Sequence, residues 1–149
     1  MRFVLLLSTL FIAAIARADD GLIVVGPSSY GVKETLDRLS DLLGKKGITV
    51  FARIDHSVDA KTIGVELPPT ELLIFGNPKM GTPLMQANRR MAIDLPMKVL
   101  AWQDNADKVW LGYINPKVLQ ARHSLTGEDK RFAKMGAVLS KLTTTAAGF

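Results

Sequence analysis

The stretch Phe75-Gly-Asn-Pro-Lys-Met-Gly-Thr-Pro-Leu-Met85 joins an apolar run to a helix-like segment. Gly76, Asn77 and Pro78 followed by Gly81 and Thr82 offer backbone amides and a helix start. Those are the two ingredients of an anion cradle, since the first amides of a helix lack intrahelical acceptors and carry partial positive charge. Lys79 and Lys98 would add charge. The spacing has neither the Gly-Lys-Ser/Thr ending of a phosphate loop nor the G-x-G-x-x-G dinucleotide fingerprint. The chemistry indicated is reversible binding of a small anionic or polar ligand, although a structural turn accounts for the same residues.

His56 and His123 are the only two histidines, and there is no cysteine. Two imidazoles with Asp55 or Asp59 would make a three-ligand metal site if the fold brought them together. No His-x-x-x-His spacing supports that. The ordinary reading bonds His56 to backbone at a core edge and sets His123 at a helix C-terminus, where it favours the dipole. Met80, Met85, Met91 and Met97 cluster near the loop. Thioethers bind cuprous copper, but Met85 and Met91 align poorly on a helix, and adaptable core filling is the plainer role. Ser28, Ser29, Ser57, Thr70, Thr82 and Ser124 include no G-x-S-x-G elbow. Asp55, Glu66 and Asp94 show no spacing recognisable for acid–base work. These residues assign no catalytic group, metal site or cofactor. The ligand-binding candidates are Asp55, His56, Gly76, Asn77, Gly81, Thr82, Lys98 and His123.

The elements that must position them follow from periodicity. Leu22 to Val25 is a short apolar strand, and Pro27-Ser-Ser29 offers a serine cap to a helix. Val32, Leu36, Leu39 and Leu43 form its stripe, Glu34–Arg38 and Asp41–Lys45 are favourable pairs, and Gly47 stops it. Ile48 to His56 alternates as a strand, with Ile48, Val50, Ala52, Ile54 and His56 on one face. Ser57 to Gly64 suggests a helical turn capped by Ser57, and Leu72 to Phe75 a fully apolar strand. Thr82-Pro83 fits the cap and first position of a helix over Leu84 to about Ala92. Met97 to Gln103 and Lys108 to Ile114 read as a hairpin across Asp104 to Asp107. Asn115-Pro116 starts a short helix to about Arg122. Thr126 caps a last helix with the stripe Phe132, Met135, Leu139, Leu142, and Thr143 onward is expected to fray. The fold class expected is α+β, a single two-layer domain with a mixed or antiparallel sheet and helices packed on one face.

The ends set the compartment. Arg2, an apolar run of about 14 residues from Phe3 and Ala16-Arg17-Ala18 make an export signal over residues 1–18, shorter than the roughly 20 residues of a membrane span. The domain then occupies 19–149, periplasmic or secreted, with no membrane span after signal cleavage and no disulfide or thiolate chemistry. The net charge of +5 is spread among acids, and no basic stripe interleaved with aromatics marks a nucleic-acid partner.

Ile54-Asp-His56, Leu67-Pro-Pro-Thr70, Phe75-Gly-Asn-Pro78, Gly81-Thr-Pro-Leu-Met85, Leu95-Pro-Met-Lys98, Trp102, Tyr113 and Arg122-His123 stand in the order and spacing of the domain-of-unknown-function 302 family. The chain resembles that family from about Gly21 to Leu142, departing at Ala106, where glycine is more usual. The resemblance implies a compact α/β domain that pairs into homodimers, and supplies no mechanism. Trp102, Trp110 and Tyr113 on the hairpin then suit a core or an interface. Three functional readings result: a non-enzymatic homodimeric small-ligand-binding module, a small hydrolase or metal-assisted enzyme using His56, Asp55 and His123, and a structural interaction module of the cell envelope.

Overall fold

The computed structural model describes residues 21–149; the leader expected over 1–18 lies outside them. The chain runs β1 (Leu22–Val25), α1 (Val32–Lys45), β2 (Thr49–Asp55), α2 (His56–Thr62), β3 (Thr70–Gly76) and α3 (Pro78–Ala87). A 3-10 turn (Arg89–Ile93), β4 (Met97–Gln103), β5 (Val109–Ile114), α4 (Pro116–Arg122) and α5 (Asp129–Ala147) complete it. The sheet order is β1-β5-β4-β3-β2, and every pairing is antiparallel. The α+β single domain read from the sequence is the fold observed.

Strand alternation sorts the sheet into two faces. Leu73, Phe75, Val99, Ala101, Leu111 and Tyr113 are buried in one core with the α1 stripe Leu36, Leu39, Leu43 and the α5 stripe Phe132, Leu139, Leu142. The intervening residues Leu72, Ile74, Leu100, Trp102 and Trp110 stay partly exposed. The Phe75↔Met97 pairing marks one end of the sheet, and Asp55↔Glu71 with Glu71↔Ala101 marks the other.

Several local details differ from the pattern-based expectation. Helix α1 is capped by Gly31 with no side-chain bond. Ser28 Oγ instead shares a 2.8 Å hydrogen bond with Thr35 Oγ1 and accepts from the Tyr30 amide at 3.2 Å. Arg38 does not turn to Glu34. Its guanidinium lies 4.0 Å from the Tyr30 ring centroid and donates to the Ala146 carbonyl at 3.0 Å. Helix α2 is capped by Asp55, whose carboxylate accepts from the Ser57 and Val58 amides, rather than by Ser57. A register shift between Val50 and Ala52 interrupts the alternation of β2 and leaves Phe51 as the extra residue. In the hairpin the left-handed residue is Asp107, at φ 61°, so Ala106 needs no glycine's freedom.

Arg53 ties the layers together, bonding Asp37 of α1 and Glu71 of β3 at 2.5 Å each and the Lys33 carbonyl at 3.0 Å. Burial works against its charge, but the two carboxylates outweigh that and raise its affinity for the proton.

The C-terminus does not fray at Thr143. Helix α5 continues to Ala147 and ends on Gly148 at φ 95°, a left-handed stop that glycine adopts without strain. Thr143, Ala146 and Ala147 are buried, and the Ser29 amide donates to the Ala147 carbonyl at 2.9 Å. A chain ending at Leu142 is therefore expected to lose on the order of 2–4 kcal/mol of stability, from lost apolar burial and lost carbonyl partners of Arg38. Urea unfolding of the two lengths measures this; equal midpoints would mean the last turn contributes nothing.

Candidate functional site

A cleft of about 820 Å³ opens at the Phe75↔Met97 end of the sheet. Its floor is the end of the core. Phe75 closes β3, Met97 opens β4 beside it, and Met135 and Leu139 come down from α5, four positions apart and so on one helix face; all four are buried. Met80 and Met85 of α3 form one wall, and Leu95 with Pro96, just before β4, form another. Phe51, the extra residue at the β2 register shift, lines the cleft and is 56% exposed. Gly76 lets this corner close without crowding: a Cβ there would come 3.3 Å from both the Phe51 ring and the Pro96 Cβ.

Of the candidates named from the sequence, Gly76, Asn77, Gly81 and Thr82 line this cleft. Gly76 does so as the last residue of β3, Asn77 as a helix cap, and Gly81 and Thr82 from within a helix, so none of them stands in an open loop. Helix α3 begins at Pro78, earlier than the expected Thr82-Pro83 start, and Pro83 lies inside it. Asn77 is its cap: Oδ1 accepts from the Lys79 amide at 2.9 Å, and the Asn77 carbonyl accepts from Met80 and Gly81 at 2.9 and 3.0 Å. Those amides are used within the helix, so the cleft presents an apolar wall rather than an anion cradle.

The other candidates lie elsewhere. Lys98 Nζ donates to the Asp94 and Pro96 carbonyls at 3.2 and 3.0 Å, tying down the backbone behind the Leu95–Pro96 wall. Asp55 caps α2, and the hydroxyl of Ser57, ahead of the Val58 and Ser57 amides, holds its carboxyl below the ordinary range. His56 is exposed at the start of α2. It stands at the far end of the sheet from the cleft, about the length of β2, roughly 20 Å at 3.3 Å per residue. The sheet thus separates His56 and Asp55 from His123. Among the described residues no three His, Asp or Glu groups gather where a metal could be held.

His123 is buried at the end of α4. Its Nε2 meets Asp94 Oδ2 at 2.6 Å, Arg122 donates to the other carboxylate oxygen at 2.9 Å, and Asn88 Nδ2 donates to the His123 carbonyl at 2.9 Å. This knot fastens α4 to the segment leading into Leu95 and Pro96. Burial alone would raise the Asp94 carboxyl, but its bonds with His123 and Arg122 outweigh that and hold it below the ordinary 3.8. Pattern reading missed the knot, because Asp94 lies far from Arg122-His123 along the chain. It also missed Lys46, Phe51, Lys134 and Val138 as cleft residues. The loop residues Gly76, Asn77, Gly81 and Thr82 and the methionine clustering were the signals that pointed to the place.

A carboxyl depressed in the folded state gives stability that is fully present above its unfolded value and is lost as pH falls through the folded one. Asp94→Asn is therefore expected to cost about 1.5–3 kcal/mol near neutral pH. The deficit should shrink as pH falls below 3.8. Urea titrations of both proteins down the acid range check this; a deficit unchanged in acid would assign the loss to packing instead of charge.

Three likenesses bear on this geometry. The chain is 44% identical over 131 residues to the protein named fluoride-specific ion channel FluC 1 of Brucella suis biovar 1 (strain 1330), covering 87% of this chain and 51% of that protein. It is equally similar to the FluC 1 of Brucella abortus biovar 1 (strain 9-941), of which it covers 48%. The chain thus spans about half the length of these curated relatives. Among the described residues no helix is long and apolar enough to cross a membrane. The crystal structure of an uncharacterized conserved DUF302 protein from Bacillus stearothermophilus superposes with a TM-score of 0.68 at 21% identity, over 86% of this chain and 96% of that one. That likeness establishes the fold. The family described as domain of unknown function DUF302 matches residues 25–142, most of the chain, and this protein belongs to it.

Proposed function

We propose that this protein is an exported, non-enzymatic, homodimeric module that holds a small ligand in the cleft beneath α3. The observation that carries the reading is the cleft itself. Its volume, about 820 Å³, lies within the range of small-molecule sites, and its floor is continuous with the core, so its shape is set before any ligand arrives. Export is supported by the charged, apolar and small-residue pattern of residues 1–18. Pairing is supported by Leu72, Ile74, Leu100 and Trp102, which leave one sheet face apolar and partly exposed.

The hydrolytic or metal-assisted reading depended on His56, Asp55 and His123 sharing a pocket, and the sheet sets them at opposite ends. A module that works against another envelope protein is the second reading. It draws on the relatives of twice this length named as fluoride channels, with which such a domain would share a chain.

Native mass spectrometry of protein purified without chelators tests the ligand and the pairing together. The expected species is a dimer carrying extra mass. Val138→Trp, which puts a large ring into the cleft wall, is expected to remove that mass while the dimer persists and stability falls by no more than about 1–3 kcal/mol. Trp102→Glu is expected to give monomers. A bare dimer that also takes up no added small molecule would favour the interaction module.

A further inference from the structure

We infer that the ligand of this cleft is a single-chain amphiphile with an anionic head, of the fatty-acid type. The inference rests on the cleft being a ligand site, as proposed above, and adds its chemistry. The interior is almost wholly apolar. Phe75, Met97, Met135 and Leu139 are buried at its base, and Met80 and Met85 of α3 are partly exposed on one wall. Methionine is unbranched and polarizable, so a wall built of it adapts to a flexible chain rather than to one rigid shape. No buried polar side chain points into the base that would orient a sugar, a nucleotide base or an amino acid.

The rim is different. Lys46 follows the last turn of α1, Lys79 stands in the first turn of α3, and Lys134 precedes Met135 on α5. All three are exposed at the mouth, and no aspartate or glutamate lines the cleft. None of the three takes part in the ion pairs among the described residues, where Asp37, Glu71, Asp94 and Glu128 are matched instead with Lys33, Arg53, Arg122, His123 and Arg131. A deep apolar base under an uncompensated cationic rim complements a chain that enters tail first and leaves a carboxylate among the ammonium groups. A lysine stem also covers apolar surface while its head stays in water, which suits it to such a boundary.

Isothermal titration below micelle-forming concentrations tests this with dodecanoate, 1-dodecanol, dodecyltrimethylammonium and acetate. Dodecanoate is expected to bind one per chain, more tightly than the alcohol and far more tightly than the cation, with acetate giving no heat. In the triple variant Lys46→Ala, Lys79→Ala, Lys134→Ala, dodecanoate should lose about tenfold or more in affinity and the alcohol should be unchanged. Circular dichroism melts of the variant confirm that it is folded, since all three positions are exposed. Equal binding of anion, alcohol and cation, or a triple variant that binds dodecanoate as well as the parent, would overturn the anionic-head assignment and leave the cleft a ligand site. Association only with vesicles of anionic lipid, and not with monomeric dodecanoate, would also overturn it. Failure of every dodecyl compound to bind, with Val138→Trp indistinguishable from the parent, would remove the ligand-site reading along with the inference.

Discussion

The placement of α5 across the antiparallel sheet is the constraint on which the rest depends. One apolar stripe runs the length of that helix. Its later members, Leu142 and Ala146, are sealed in the core, while Met135 and Leu139 lie over the end of β3 and β4. The stripe that stabilises the domain therefore also floors the cleft. A fully buried leucine or methionine contributes about 1.5–3 kcal/mol by leaving water. A floor shared with the core is thus held in place by the same free energy that folds the chain. A site built this way needs no separate scaffold, and changes to its base are felt by the fold.

The charged groups are arranged around that plan. Arg53 bridges α1, β2 and β3, with its side chain only 27% exposed, and the knot of Asp94, Arg122 and His123 closes the opposite end. Exposed pairs such as Lys33–Asp37 contribute little on their own. The partly buried ones serve by fixing direction. Removing one partner leaves a desolvated charge, so neither end can shift cheaply. The knot sits directly before Leu95 and Pro96, and Lys98 donates to the Asp94 and Pro96 carbonyls of the same segment. That wall of the cleft is braced by both, and the wall carried by α3 is held by its Asn77 cap and, at its other end, by Asn88, which donates to the His123 carbonyl.

Most of the fold was legible because it is written in short periods. Leu36, Leu39 and Leu43 announce a helix, and Asn115-Pro116 announces the start of another; both are where the sequence pattern puts them. What was not legible depended on partners distant in sequence. Ser28 resembles a cap until Thr35 and Ala147 are seen to engage it. Thr143 to Ala147 resemble a polar, fraying end until Arg38 and the Ser29 amide are found bonded to their carbonyls. The loop around Asn77 stood out in the sequence, but whether it formed a cradle or a structural turn could not be read there. Asparagine, proline and glycine serve a capped helix as well as an open cradle, and only the hydrogen bonds distinguish them. His123 was singled out as one of two histidines, but its partner Asp94 stands 29 positions earlier with nothing local to connect them.

The structural neighbour from Bacillus stearothermophilus and this chain share a fold at 21% identity, a level at which core pattern persists while cleft residues are free to change. A fold of this kind accommodates many roles, and the role is set by what lines its concavities. Here the lining is not what a core alone would select. A core would gain more from leucine or isoleucine, whose rotamers are better defined, than from Met80, Met85, Met97 and Met135 gathered at one opening. Nor does folding call for three lysines around that opening without one acid among them. Adaptable walls with a single-signed rim are departures from what folding requires, in the same place and of complementary kinds. Recognition of a flexible apolar chain with a negative end requires both at once.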